Sequence, residues 1–302
     1  MTIRPAHPDD APALVALRRT VFPYLVRGEA ATRRTLISPP PGSSMASFVA
    51  VSPAGEVVGF AAAFRNTGTT SRYAGQISLL HVHPAVRGRG YGSALLAASI
   101  SHLRSLGLRH LRGYVLPSSL PFATARGFTA SREVRYSGLD LAAALPPAPA
   151  PPPGYTLAPV SSITDRALFA VEAAAVADEP SDVAPDALTF ENWRYDVWED
   201  PGLDKDASFV VLSPDGDVAS LSLLQRDGDR CWSDMTATLA AHRGRGLARL
   251  AKTAALTHAA ATGVTNAYTS NDAANAPMLA INTHLGYQPT ASTWSTLTTL
   301  PT

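Results

Sequence analysis

Apolar and polar positions follow the same order twice along this chain. Two apolar runs in Ser47–Phe64 flank Pro53-Ala54-Gly55, and two in Ser208–Leu224 flank Pro214-Asp215-Gly216; such runs around a Pro/Gly turn predict a β-hairpin. A further strand-like run follows each, Gly75–His83 and Cys231–Leu239. The period then changes from two to that of a helix. Leu96, Ile100 and Leu103 share one helical face, as do Leu247, Leu250, Ala251 and Ala254. Both helical patterns stop at a glycine, Gly107 and Gly263, 17 residues past Gly90 and Gly246, which suits a left-handed C-terminal cap. A strand, a short helix, a Gly-aromatic pair (Gly127-Phe128, Gly286-Tyr287) and a last strand complete each copy. The pattern predicts an α/β fold with a mixed sheet, duplicated.

Between the copies runs Ala142–Gly154, AAALPPAPAPPPG. Consecutive prolines lock φ and remove backbone donors, so this stretch extends neither sheet nor helix. It is expected to be a semi-rigid spacer of about 3 Å per residue. The expected domains are therefore residues 1–141 and 155–302, joined by the linker 142–154.

Composition narrows the function. Charged residues are 16% of the chain and the net charge is +1, without the basic block of a nucleic-acid binder. Cys231 is the single cysteine, which excludes an intrachain disulfide and a cysteine-based zinc cluster; no metal is expected. No run approaches 18 apolar residues, so no membrane span is expected, and the start reads as a strand and helix rather than a signal peptide. A cytoplasmic location follows as an expectation. Nothing in the sequence fixes an oligomeric state.

The doubled helix start carries the chemistry. It has the form Arg-x-x-Gly-x-Gly/Ala, as Arg87, Gly88, Arg89, Gly90, Tyr91, Gly92 and again as Arg243, Gly244, Arg245, Gly246, Leu247, Ala248. The first N–H groups of a helix lack internal partners and carry partial positive charge. Glycines let the backbone curl around an anion, and arginines add charge-assisted bonds, so a diphosphate is the expected ligand. A Walker loop would end in Gly-Lys-Ser/Thr, and a dinucleotide turn would follow the first strand of its unit rather than the fourth. One copy alone reads equally as a turn with solvated arginines; the repetition in the same context favours the ligand.

In these residues the chain resembles the GNAT superfamily of N-acetyltransferases, across both copies, in a tandem layout. The resemblance implies that each loop holds the diphosphate of acetyl-CoA. It also implies that the preceding strand binds the pantetheine arm through its backbone, at Leu80, His81 and Val82 and at Thr236, Ala237 and Thr238. A carboxylate on that strand is the usual base of the family. Counting nine residues back from the loop arginine gives Asp234 in the second copy and Ser78 in the first; a plain edge-strand position is the competing reading of Asp234. His81 and His83 are alternatives in the first copy.

The family's N-x(6)-Y-x(3)-G-F ending is matched at Asn275 and Gly286, but Asn282 stands where the acid tyrosine is expected. Asn282 can hydrogen-bond the sulfur or an oxygen without donating a proton as an acid, and a thiol of pKa about 8.5 can leave with that help. Asn275 also suits a helix cap. The first copy has Leu116 and Ala123 at these two places.

GNAT proteins build part of the acceptor site after the first helix. Here Asp178–Asp206 holds ten acids and the aromatics Phe190, Trp193, Tyr195 and Trp198. Glu191, Trp193 and Trp198 are the expected substrate contacts, because acids beside aromatics cradle a cation. The second copy is therefore expected to move an acetyl group from acetyl-CoA to a primary amine of a small cationic molecule, with the first copy structural or regulatory. A non-catalytic acyl-CoA sensor is the alternative.

Overall fold

The computed structural model describes every residue except Ala144, Ala177 and Thr302, so Ala144 of the expected linker lies outside the described residues. The chain forms two compact units: Met1–Val134 with Ser181–Asn192 and Ser292–Thr302, and Arg135–Pro180 with Trp193–Ala291.

The elements of the first copy are β1 (Thr2–Pro5), α1 (Ala11–Val21), α2 (Glu29–Ile37), β2 (Ala46–Val51), β3 (Val57–Arg65), β4 (Gly75–Val82), α3 (Tyr91–Ser105), β5 (His110–Val115), α4 (Leu120–Thr124) and β6 (Thr129–Asp140). The second repeats the order with β7 (Thr156–Pro159), α5 (Asp165–Val176), α6 (Phe190–Trp193), a wide turn at Arg194–Trp198, β8 (Phe209–Leu212), β9 (Val218–Asp227), β10 (Arg230–Thr238), α7 (Leu247–Ala261), β11 (Asn266–Asp272), α8 (Ala276–His284) and β12 (Gln288–Thr299). Both expected hairpins are present, β2–β3 and β8–β9, and their strands pair antiparallel. The mixed sheet is also as expected: β4 and β5 run parallel, as do β10 and β11.

In the first unit the strands follow the order β1-β2-β3-β4-β5-β12, and in the second β6-β11-β10-β9-β8-β7. Trp294–Thr299 of β12 pairs antiparallel with Val115–His110 of β5, and Leu300 packs into the cluster of Ile77, Leu103 and Leu111. The end of the second sequence copy thus completes the first unit's sheet. Sequence copies and compact units divide the chain differently, because an open strand edge is closed by whichever strand reaches it.

The two long helices match down to their ends. On α3, Leu95, Leu96 and Leu103 are buried; on α7, Leu247, Leu250, Ala251, Ala255 and Leu256 are. At the C-terminus of α3 the N–H of Gly107 donates to Arg104 O (2.9 Å) and that of Leu108 to Leu103 O (2.9 Å); on α7, Gly263 donates to Ala260 O (3.1 Å) and Val264 to Ala259 O (2.9 Å). This is the paired closure that a left-handed glycine permits.

Candidate functional site

A cleft of about 1260 Å³ opens in the second unit, walled by α5, β10, the loop before α7, β11 and the start of α8. Strand pairing explains it. β10 and β11 stay paired for only three positions, from Arg230↔Asn266 to Trp232↔Tyr268. The Thr269 hydroxyl donates to Ser233 O at 2.9 Å where the strands part, and beyond that point Asp234–Thr238 and Ser270–Asn271 line the opening. On the other edge β10 slips against β9: Ser233 faces Leu224 and Thr236 faces Ser222. Asp234 and Met235 therefore share a bulge, which re-aims their side chains.

At one end lies the glycine loop. Gly244 and Gly246 both hold φ at +76°, and a Cβ built on either meets nothing within 4 Å. Glycine is needed here for the backbone angle, not for space. Among the described residues no acceptor takes the N–H of Gly244, Arg245 or Gly246. An anion bound there would satisfy these donors, so the residues fit a diphosphate. The first unit holds the same conformation, with φ +77° at Gly88 and +87° at Gly90. Tyr91 and Leu247, the residues after the loops, are core side chains and have only backbone to offer a ligand. Arg243 Nε donates to Thr238 O at 3.1 Å and its Nη2 to Asp178; Arg87 Nε donates to Val82 O at 3.2 Å. Both loop arginines thus fasten the loop to the preceding strand.

The lining is acidic: Glu172, Asp178, Glu179, Asp196 and Asp234 all belong to it, with Asp178 paired to Arg243. Gln225 Nε2 donates to Asp234 Oδ2 at 3.0 Å and orients that carboxylate. Glu172, on α5, is 8% exposed and its Oε2 has no hydrogen-bond partner. Burial pushes its carboxyl up to about 7, the Trp193 indole pulls it down, and negative Asp234 and Glu179 push it further up. A carboxyl poised near neutrality beside an ionised one suits proton transfer. Lys252 of α7 is 1% exposed, also lines the cleft, and is pushed down to about 7 by burial. Sequence reading passed over both residues. The available signal was a single charged residue on an apolar helix face: Glu172 four after Leu168, and Lys252 four before Leu256.

Other expected site residues are placed as follows. Thr236, Ala237, Thr238 and Asn275 line the cleft, and Asn275 caps α8 by accepting from Met278 N. Asn282 is 3% exposed and stands behind the wall; its Nδ2 donates to Asn271 Oδ1 at 2.7 Å, and Asn271 faces the cleft. The Asn282 amide, expected to hydrogen-bond the sulfur or an oxygen, donates here to Asn271. Trp193 is 1% exposed and stacks on Trp198 (centroids 6.4 Å, 27°), whose ring is covered by Lys205 Nζ at 3.6 Å. Glu191 belongs to Ser181–Asn192, a stretch held within the first unit by Asp186 accepting from Thr70 N and Oγ1, and by Asn192 donating to Thr67 Oγ1. Of the expected contacts Glu191, Trp193 and Trp198, none lines the cleft; the acids that do are Glu172, Asp178, Glu179, Asp196 and Asp234.

Register also corrects the counterpart of Asp234. In the first unit Ser78 faces Ala62 and His81 faces Phe60, so the bulge holds Leu79 and Leu80, with Leu79 at φ +54°. Counting from the arginine had paired Asp234 with Ser78; the bulge pairs it with Leu79. Burial, then positive Arg18 and Arg87, push the His81 imidazole down to about 4, which keeps it neutral. Gly92 is the second residue of α3, and the Phe122 ring comes within 3.5 Å of a Cβ built there, with Arg126 stacked 3.7 Å over that ring.

Comparison with known proteins agrees with this geometry. The Acetyltransferase (GNAT) family matches residues 14–128 and again 173–287. Mycothiol acetyltransferase of Streptomyces avermitilis is 30% identical over 226 residues, 69% of this chain and 67% of the relative. A tandem GNAT protein from the clavulanic acid biosynthesis pathway superposes with a TM-score of 0.73 at 22% identity, over 98% of this chain and 97% of that one. A GCN5-related N-acetyltransferase from Sphaerobacter thermophilus gives 0.71 at 20% identity, over 99% and 95%. Among the described residues no group of His, Cys, Asp and Glu could hold a metal ion, and no helix is long and apolar enough to cross a membrane. The chain belongs to the GNAT acetyltransferase family, as a tandem of two GNAT domains.

Proposed function

We propose that this protein is an acetyl-CoA-dependent N-acetyltransferase whose second copy acetylates a primary amine of a small cationic molecule. The observation that carries the reading is one cleft lined both by an anion cradle at Arg243–Ala248 and by the carboxylates Glu172, Glu179, Asp196 and Asp234. Acetyl-CoA supplies the activated acyl group. The loop N–H groups hold its diphosphate, and the backbone of Thr236–Thr238 aligns the pantetheine arm. Glu179 and Asp196 attract the ammonium, Asp178 being paired with Arg243. Asp234 takes the proton that must leave before nitrogen can attack, and Glu172 beside it passes that proton on. The N–H of residue 238 or its neighbour polarises the thioester carbonyl.

The first copy is structural or regulatory and retains a coenzyme loop at Arg87–Gly92. Its bulge offers Leu79 where the second copy has Asp234.

Asp234→Asn tests this reading. With a panel of amines, free-thiol release is expected to fall by about 10²–10³-fold, while calorimetry shows unchanged acetyl-CoA affinity. Equal turnover removes Asp234 from the mechanism. Coenzyme binding without thiol release for any amine favours a sensor instead, a reading supported by Asn282 at the expected tyrosine position.

A further inference from the structure

Between Asp178 and Thr189 the second copy forms neither helix nor strand. The same interval of the first copy, between its first helix and its hairpin, holds α2, a nine-residue helix that makes its own backbone bonds. Ordering each residue of a chain costs conformational entropy. An irregular stretch without a ladder of its own therefore keeps one shape only where partners elsewhere in the chain offset that cost.

The loop between β3 and β4 supplies those partners. Thr69 Oγ1 donates to Ala184 O at 2.5 Å, and the N–H of Ala187 donates to Gly68 O at 3.0 Å. Thr70 donates twice to Asp186, from N to Oδ1 at 2.7 Å and from Oγ1 to Oδ2 at 2.6 Å. Asn192 Nδ2 donates to Thr67 Oγ1 at 2.6 Å. Arg112 of β5 adds an ion pair with Asp182 at 3.4 Å, both side chains being largely buried, and Val183 is buried beside it in sequence. Removing one partner of a shielded pair strands the other charge, so such a pair is a firm anchor. Fastening this dense along one short stretch marks a built element.

Both ends of the fastened stretch lead along the chain into the cleft lining. Glu179 stands two residues before Ser181, and Asp196 four after Asn192; both line the cleft. Two and four residues span at most about 7 and 14 Å when fully extended. Fixing the stretch therefore limits where both carboxylates can go. The coenzyme's residues do not depend on it in this way. Thr236–Thr238 lie on β10, Arg243–Ala248 form the loop and start of α7, and Arg243 holds Thr238 O directly.

We propose that the loop Thr67–Thr70 and Arg112 are positioning residues for the acceptor: by fixing Asp182–Asn192 they hold Glu179 and Asp196 where a small cationic amine meets them. This rests on the acceptor reading above. The first copy thereby contributes to amine recognition in the second copy's cleft without touching the amine. Its contribution is to amine affinity, and not to coenzyme affinity or to the chemical step.

The test uses the full chain, with cadaverine as the amine probe and coenzyme A bound, so that no turnover is required. Calorimetry compares the parent with Thr69→Val and with Asp186→Ala. Each variant should bind cadaverine about tenfold more weakly, the scale of one or two lost hydrogen bonds, while coenzyme affinity stays within about twofold. Thr69→Ser, which keeps the hydroxyl, should restore the parent's affinity. Hydrogen exchange should quicken over residues 178–196 in the valine and alanine variants and stay unchanged in β10 and α7, which shows that the variants are folded. In turnover with acetyl-CoA the same two variants should raise KM for cadaverine and leave kcat as it was. Equal cadaverine affinity in parent and variants overturns the proposal and leaves the acceptor reading standing. So does a parallel loss of coenzyme affinity, which would make the stretch a support of the whole cleft. A parent that binds coenzyme A but no cadaverine overturns the acceptor reading and this proposal with it.

Discussion

Arg243 donates from Nε to the carbonyl oxygen of Thr238 at 3.1 Å, five residues back along the chain. The bond ties the end of β10 to the loop that opens α7, and Arg87 ties β4 to α3 in the same way through Val82. The arginine of the family motif therefore shapes the cradle, and its charge is already met by Asp178.

Arg243→Lys keeps a positive charge but cannot reproduce the Nε geometry. If shaping is its role, lysine and alanine variants should lose similar acetyl-CoA affinity, about tenfold each, the scale of one charge-assisted hydrogen bond. Calorimetry decides this. Full affinity in the lysine variant would return the residue to a purely electrostatic role.

Gly246→Ala isolates backbone conformation from space. Its φ of +76° is unfavourable for alanine, yet the added methyl meets nothing within 4 Å. A stability loss of about 1–2 kcal/mol is expected, with weakened coenzyme binding as the loop relaxes. A denaturant melt showing no loss would mean that the loop tolerates the strain.

Glu172→Gln should change how stability depends on pH. The folded carboxyl keeps its proton up to about 7, against an ordinary value of 4.5. Between these values the folded state binds more protons, so raising the pH destabilises it. The upper limit is roughly 3 kcal/mol at 1.36 kcal/mol per pH unit. The glutamine variant should gain most over the parent at pH 8 and little at pH 4.5. Parallel urea melts at both values would contradict the burial of an ionisable carboxyl.

Leu300→Ala tests the exchanged strand. Leu300 belongs to the second sequence copy but is buried with Ile77 and Leu111, and its N–H donates to Arg109 O at 2.8 Å. A loss of about 2–4 kcal/mol is expected. Hydrogen exchange should quicken first in β4 and β5 rather than in β9 and β10. The opposite order would place Leu300 with its own copy.

Much of this was legible in the sequence. Hairpins, glycine-stopped helices and the doubled loop are local: they follow from the period of apolar residues and from backbone angles that glycine alone adopts cheaply, so neighbours along the chain decide them. That is why α7 and Gly246 lie where the pattern places them. The family resemblance rested on the same local features.

Tertiary structure decided what depends on distant partners. Residue counting paired Asp234 with Ser78, but strand register, set by pairing across the sheet, matched it to Leu79. Trp193 and Trp198 looked available for a ligand until each covered the other's face. The last strand's choice of sheet edge was made by hydrogen bonds to β5, some 180 residues earlier in the chain. Glu172 and Lys252 carry no motif. They are set near neutrality because folding removes water from around them, and desolvation is a property of the packed interior that residue order alone does not encode.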